Sequence, residues 1–462
     1  MNNRVLSLAI SSPDQTLRVV GIVLILIFDA ILVAALPWIG PLYTTAALIG
    51  ILILGGCLIS DAGFIILLAA ISQINVVGES SFEFTRMLKW GAVAIVAAAT
   101  ILRLLFKGTT VEFKADAVVR YFALYLAWGV VCSLLAIHPM GSLVNVLSKS
   151  LFLVVYLFAI STITKRSHLD LILAVLLIGV IASCSYSFVG LLSGPYLRIA
   201  GFMINAGGYS VALMMIVPML VAAGSIYHRR SVRLIYRLGA AIGMVGIALA
   251  WSRATWLMLA AATVVFLILR RQFKLLSLLA MLVAAVAIFV VTDPQVYSLF
   301  RQVSRLRAGT THRTSLWDYS LKGIREHPLF GVGPLTLTED VLDARTADIG
   351  TRFFLITKES EFNAHNYYLH IMLTTGIPGL LIFLLFVYNL FKHTIRARRE
   401  APNPESRAFQ EATLAMLAAV LVGLLFDTGS LMSSGSYANY FWISLGLTEA
   451  IRRNHLLASN RA

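Results

Sequence analysis

Runs of about 20 consecutive apolar residues, the length a helix needs to cross a bilayer, recur along this chain with short connections between them. In the first half they lie near 19–37, 41–59, 62–77, 87–106, 118–137, 143–163 and 169–193. The second half adds 207–227, 234–251, 254–269, 275–292, 367–391, 410–428 and 436–451. That makes about 14 spans, or 12 if a short pair such as 62–77 and 254–269 is re-entrant. The pattern predicts an all-α fold, a polytopic transmembrane helical bundle. Composition agrees, since only 13% of residues are charged against about 25% in a soluble domain. So few charges cannot coat a water-facing surface, which excludes a purely soluble enzyme. Intrinsic disorder is excluded by the same figures. The first run is long and further spans follow at once, unlike a cleaved signal peptide.

The net charge of +15 would suit nucleic acid, but its placement along the chain suits a membrane better. Alternate connections collect Arg103, Lys107 and Lys114, then Lys165 and Arg166, then Arg229, Arg230, Arg233 and Arg237. The series continues with Arg270, Arg271 and Lys274, then Arg396, Arg398, Arg399 and Arg407, then Arg452 and Arg453. The opposite short connections hold only Arg86, Arg198 and Arg253. An excess of Lys and Arg on one side marks the cytoplasmic side. Both termini are therefore expected in the cytoplasm, and no nucleic-acid partner is expected. Cys57, Cys132 and Cys184 lie in apolar runs without disulfide or metal spacing and read as buried residues.

The expected division is 1–117 N-terminal spans, 118–292 core spans, 293–366 a large outer loop, and 367–462 C-terminal spans and tail. Asp293-Pro294 ends a span, and residues 313–327 within the loop read as an amphipathic helix. Pro328 and Gly331-Val332-Gly333-Pro334 then make a turn. A long ordered loop in a tightly connected protein is more often functional than not. Gly239 and Gly243 form a small-residue spacing for close helix packing.

The chain lacks a phosphate-binding Gly-x-x-x-x-Gly-Lys-Ser/Thr loop, Gly-x-Gly-x-x-Gly, His-Glu-x-x-His and an Asp-x-Asp pair. No cofactor or metal is expected. What remains is metal-free chemistry or transport at the outer face. Four residues converge there. Arg198 lies in Gly194-Pro195-Tyr196-Leu197-Arg198, and Arg253 in the tight hairpin Trp251-Ser252-Arg253. Lys149 lies within span 143–163, about 9 Å below its outer end at ~1.5 Å per residue. His365 closes the large loop in Asn363-Ala364-His365-Asn366-Tyr367. Each has a plain alternative: lysine snorkels, arginines touch headgroups, and a histidine can simply enter a helix. Together they suit a pyrophosphate, which guanidinium forks grip bidentately. An imidazole beside it can take a proton from a sugar hydroxyl. Asp29 is read as locally paired and His370 as packing. Asp427 is placed near the outer mouth, and Arg396 to Arg399 form an anchor.

At these residues the chain resembles the O-antigen ligase and polysaccharide polymerase superfamily of bacterial inner membranes. The resemblance is carried by the Arg198 connection, Ser252-Arg253, and Trp317 through Gly333 with His327-Pro328-Leu329-Phe330-Gly331. His365-Asn366-Tyr367-Tyr368-Leu369 followed by Gly376-Ile377-Pro378-Gly379 completes it, and the span with Lys149 is also similar. It covers about 118–450; the extra N-terminal spans match less well, and Ala206 follows Asn205 where many relatives have proline. The resemblance implies a periplasmic-face, metal-independent inverting glycosyltransferase whose donor is a glycan on undecaprenyl pyrophosphate. Arg198 and Arg253 would hold the pyrophosphate and His365 would activate the acceptor hydroxyl, with Lys149, Arg313, Asn366 and Tyr367 binding substrate. The acceptor would be lipid A–core for a ligase or a second lipid-linked glycan for a polymerase, with membrane lipids around. A secondary transporter or flippase is the alternative of another class. The gathering of polar groups at one face and the one-sided loop favour the enzyme.

Overall fold

In a computed structural model the chain folds as a helical bundle. The structure describes residues 116–136, 138–193, 199–201, 206–303, 313–334, 364–426, 431, 436–454 and 456–457. The four spans expected before residue 118, together with Asp29, Arg198, Asp427 and Cys57, lie outside them. The helices are α1 (Ala117–Leu134), α2 (Pro139–Thr162), α3 (Arg166–Ser193), α4 (Ala206–Ile226), α5 (Arg230–Leu249) and α6 (Arg253–Leu269). They continue as α7 (Phe273–Thr292), α8 (Pro294–Val303), α9 (Arg313–Glu326), α10 (Tyr367–Glu400), α11 (Pro404–Gly423) and α12 (Ser436–Arg453). Each span expected from residue 118 onward thus corresponds to a helix. Seven of the described helices are long and apolar enough to cross a membrane, and α6 is a shorter apolar one. This is a helical membrane protein.

Two features hold the bundle together. Trp442 of α12 is fully buried and its ring meets Phe122 of α1 at 4.7 Å, Phe152 of α2 at 6.3 Å and Phe386 of α10 at 6.4 Å. Its indole N–H, which must find a partner when buried, donates to the Leu431 carbonyl at 2.7 Å. The second feature is the small-residue face of α5. A Cβ added at Gly239 would lie 2.1 Å from Leu177 Cδ1 of α3, and one at Gly243 2.6 Å from Val217 of α4. The Gly239/Gly243 spacing is therefore a packing face, as expected. In contrast, α7 has no buried residue. Asp293 and Pro294 do end it, and they also start α8: the Asp293 carboxylate accepts from the backbone N–H groups of Gln295 and Val296, with Pro294 at the first helical position.

The basic end of the bundle is laced by ion pairs. Glu411 of α11 receives Arg270 of α6 at 3.0 Å and Arg398 of α10 at 2.9 Å. Arg453 of α12 reaches Asp116, the N-cap of α1, at 2.7 Å and Glu449 at 2.7 Å. The run Arg396 to Arg399 is thus more than a surface anchor, because Arg398 ties three helices.

The largest correction concerns α10. The expected single span 367–391 is two helices meeting at Gly376, whose φ of 73° and ψ of 178° are not helical. A straight helix at about 1.5 Å per residue would hold Tyr367 and Phe383 roughly 24 Å apart. Their ring centroids lie 5.5 Å apart. The short leg 367–375 therefore folds back against the long leg from 377 onward.

A bend inside a membrane protein must re-satisfy the backbone groups it frees. Here the segment 327–334 does so. In a continuous helix the Leu373 carbonyl would take the Ile377 N–H and the Thr374 carbonyl the N–H of residue 378. Residue 378 is proline and has none. Instead Val332 N–H donates to Leu373 O at 2.9 Å and Gly333 N–H to Thr374 O at 3.1 Å. Ile377 N–H donates to Pro328 O at 2.8 Å, and the Trp128 indole of α1 covers Thr375 O at 2.9 Å. The turn expected at Gly331 and Gly333 is thus the other half of the α10 bend.

Candidate functional site

α9 lies alongside the short leg, running in the same direction. Trp317 donates its indole N–H to the Ala364 carbonyl at 3.0 Å, and a Cβ on Gly323 would stand 2.6 Å from Leu373. Leu316, Ile324, Ala364 and Leu373 form a small core between the two. Arg313 opens α9 one turn before Trp317, so the start of α9 and His365 lie at the same foot of this pair. His365 follows the fully buried Ala364 and has φ 46°, the left-handed region. Such a conformation in a non-glycine residue costs about 1–3 kcal/mol and clusters at functional sites.

The foot is pinned to α11. Tyr367 N–H donates to Leu424 O at 2.8 Å, and the Tyr368 hydroxyl to Leu421 O at 3.0 Å. The same end of α11 packs against α6, where Met258 fills the space a Gly423 side chain would need, its Sδ 2.7 Å from the added Cβ. Arg253 stands about 7.5 Å along α6 from Met258. It is exposed at the first turn, behind Ser252 as N-cap. Trp251 just before it has φ 49° and an edge-on contact with Trp256 at 5.4 Å. Arg198 lies outside the described residues, but its neighbour Ile199 donates its N–H to Leu249 O, at the end of α5, at 3.3 Å. Ile199 therefore sits beside the turn that carries Arg253. Gly201 has φ 59°, and Tyr209 occupies the place of its missing side chain.

The structure thus brings Arg253, Arg313 and His365 onto neighbouring elements at one end of the bundle. Two other expected binding residues have scaffold roles. Asn366 is the N-cap of α10, its side-chain oxygen accepting from Tyr368 N–H at 3.0 Å and Leu369 N–H at 3.2 Å. Tyr367 is only 3% exposed and packs on Phe383. Lys149 is half-buried on α2. Because α2 begins at Pro139, Lys149 lies about 15 Å from its start, deeper than the 9 Å expected. Sequence reasoning gave His370 no role beyond packing and singled out neither Trp317 nor Trp251. Among the described residues no group of three His, Cys, Asp or Glu side chains could hold a metal ion. An apolar cavity of about 290 Å³ lies deeper, lined by Met214, Val217, Leu259, Phe266, Leu275 and Leu279 among others. It sits between α4, α6 and α7, on the helix that begins with Arg253.

Residues 238–384 match a family model described as O-antigen ligase. The match runs from α5 through the α10 bend and includes Arg253, Arg313, His365, Asn366 and Tyr367, but neither Arg198 nor Lys149. No curated protein matches the chain.

Proposed function

We propose that this chain, whose residues 238–384 match a family model described as O-antigen ligase, is a metal-independent inverting glycosyltransferase of the periplasmic membrane face. The donor is a glycan on undecaprenyl pyrophosphate and the acceptor is lipid A–core, which makes the chain a ligase of lipopolysaccharide assembly in a bacterial inner membrane. The observation that carries this reading is the joining of the Arg253 turn and the His365 foot to one end of α11. Arg253 and Arg198 grip the pyrophosphate, since a guanidinium stays charged and offers paired donors. His365 removes the proton from the acceptor hydroxyl as that oxygen attacks the anomeric carbon from the face opposite the pyrophosphate. The C–O bond to the pyrophosphate breaks, its electron pair leaves on the pyrophosphate oxygen, and the additional negative charge is stabilised by the arginines. The apolar cavity along α6 is suited to the isoprenoid chain below that headgroup. A polymerase, with a second lipid-linked glycan as acceptor, uses the same chemistry.

Two outcomes are expected. A deletion strain should accumulate undecaprenyl-linked polymer with free core, and purified protein in detergent should transfer glycan in EDTA without ATP. Single repeats capped on core would assign a polymerase instead, and activity restored only by magnesium or manganese would end the metal-free mechanism. Reporter fusions after Arg237, Lys274 and Arg399 should read as cytoplasmic, and fusions at 340–355 as periplasmic. A cytoplasmic 340–355 would remove the site from its donor.

A further inference from the structure

The left-handed conformation of His365 has a mechanical cause on each side of it. A peptide group is planar, so a bond to the Ala364 carbonyl also fixes the His365 nitrogen. That carbonyl accepts from the Trp317 indole N–H at 3.0 Å, and Ala364 is fully buried. An indole nitrogen can only donate, so the direction of this bond is settled. On the other side Asn366 is extended, at φ −151° and ψ 111°, and accepts from the Tyr368 and Leu369 N–H groups. The Tyr367 N–H is held by the carbonyl of Leu424, the C-cap of α11. The chain is thus tied down both before and after His365, and the φ of 46° is what joins the two ties.

Trp317 is itself held in place. Beyond α9 the His327 N–H donates to Gly323 O at 2.9 Å and the Gly331 N–H to His327 O at 3.1 Å. The Val332 N–H then reaches Leu373 O at 2.9 Å, which fastens the far end of α9 to the short leg. Between the two ends Leu316 and Ile324 close on Ala364 and Leu373. The buried Ser320 hydroxyl returns to Leu316 O at 2.8 Å and so disturbs nothing in that contact. α9 therefore braces the short leg along its length, with the indole as its last fastening beside His365. A left-handed non-glycine residue persists only where its surroundings over-determine it. Released, it would turn to negative φ, where the side chain leaves the backbone in another direction.

We infer that Trp317 is a positioning residue for His365: its indole N–H locks the peptide between residues 364 and 365 and thereby aims the imidazole at the acceptor hydroxyl. This rests on the reading of His365 as the base, and it adds a residue that acts through the backbone.

The conformational half is read without substrate, in full-length protein in detergent. His365→Gly should unfold at a higher temperature than His365→Ala, because glycine accepts the held φ without strain. Adding Trp317→Phe, which keeps an aromatic ring and removes the donor, should shrink that difference, since residue 365 can then rotate. An undiminished difference overturns the inference. The functional half is a double-mutant cycle on the single-turnover rate of pre-bound lipid-linked glycan extracted from host membranes. Trp317→Phe should lower that rate by about 10²-fold, the scale of an ~1 Å misplacement, with affinity for inorganic pyrophosphate unchanged. In the His365→Ala background it should have no further effect, whereas beside Arg253→Lys its full effect should remain. Equal losses in both backgrounds would mean general damage and overturn the inference. Trp317→Leu, a smaller group without the donor, gives the same readings where a phenyl ring prevents folding. A wild type that transfers no glycan sinks the transferase reading, and the unfolding temperatures still decide whether the indole holds the turn.

Discussion

His365→Ala is expected to lower turnover by roughly 10²–10⁴-fold, the usual worth of a general base, while donor binding stays close to wild type. The arginines proposed to hold the pyrophosphate cannot take its place, because a guanidinium does not give up its proton in the accessible range. Backbone and side chain can be separated at this position. At φ 46° an alanine keeps the unfavourable conformation, whereas glycine relieves it. His365→Gly should therefore unfold at a higher temperature than His365→Ala and be equally inactive. Acidification that protonates the imidazole should slow the wild type, and the alanine variant should lose that dependence. Arg253→Lys gives the opposite pattern: the charge remains, the fork is lost, and pyrophosphate affinity drops. Single-turnover rates on pre-bound donor distinguish the two. An unchanged rate in His365→Ala, with donor affinity lost, would make the histidine a ligand.

Gly376→Ala should be among the most damaging small substitutions available in this chain. An added Cβ would stand 2.0 Å from the Leu329 carbonyl oxygen and 2.4 Å from its carbon, both backbone atoms that cannot swing aside. The φ and ψ of 73° and 178° belong to a region essentially reserved for glycine, costing other residues about 1–3 kcal/mol. With the clash included, a loss on the order of 3–5 kcal/mol is expected, a large share of a typical net stability. Gly190→Ala is the control: nothing lies within 4 Å of its added Cβ, and alanine favours the helix by about 1 kcal/mol. Thermal unfolding in detergent should separate the pair clearly. Equal melting temperatures would mean that the α10 bend does not exist as described.

The spans after residue 118 were legible because hydropathy reports the length of apolar chain between polar connections. It does not report the path. Residues 367–391 are apolar enough for one crossing, and the fold-back at Gly376 becomes visible only when Val332 and Gly333, more than forty residues upstream, are seen bonded to its carbonyls. Gly376-Ile377-Pro378-Gly379 was noticed as a resemblance, yet glycine before a proline inside an apolar run is itself the signal of a break. The site was partly legible. Charge scarcity on one side singled out Arg253, and Arg313 and His365 stand at the same foot in the structure. Asn366 caps α10 and Tyr367 packs on Phe383, scaffold roles that a motif alone does not reveal.

The ion pairs at the basic end give certain arginines two tasks at different times. While the chain is being inserted, Arg270, Arg398 and Arg453 count simply as positive charges that bias which way the helices face. After folding the same residues become fasteners: Arg270 and Arg398 close on Glu411, and Arg453 joins the last helix to Asp116 at the start of α1. A glutamine in place of one of them therefore acts twice, first on the fraction of chains that enter correctly and then on the cohesion of those that did. Extra lysines elsewhere in the same connections can repair the first defect but not the second.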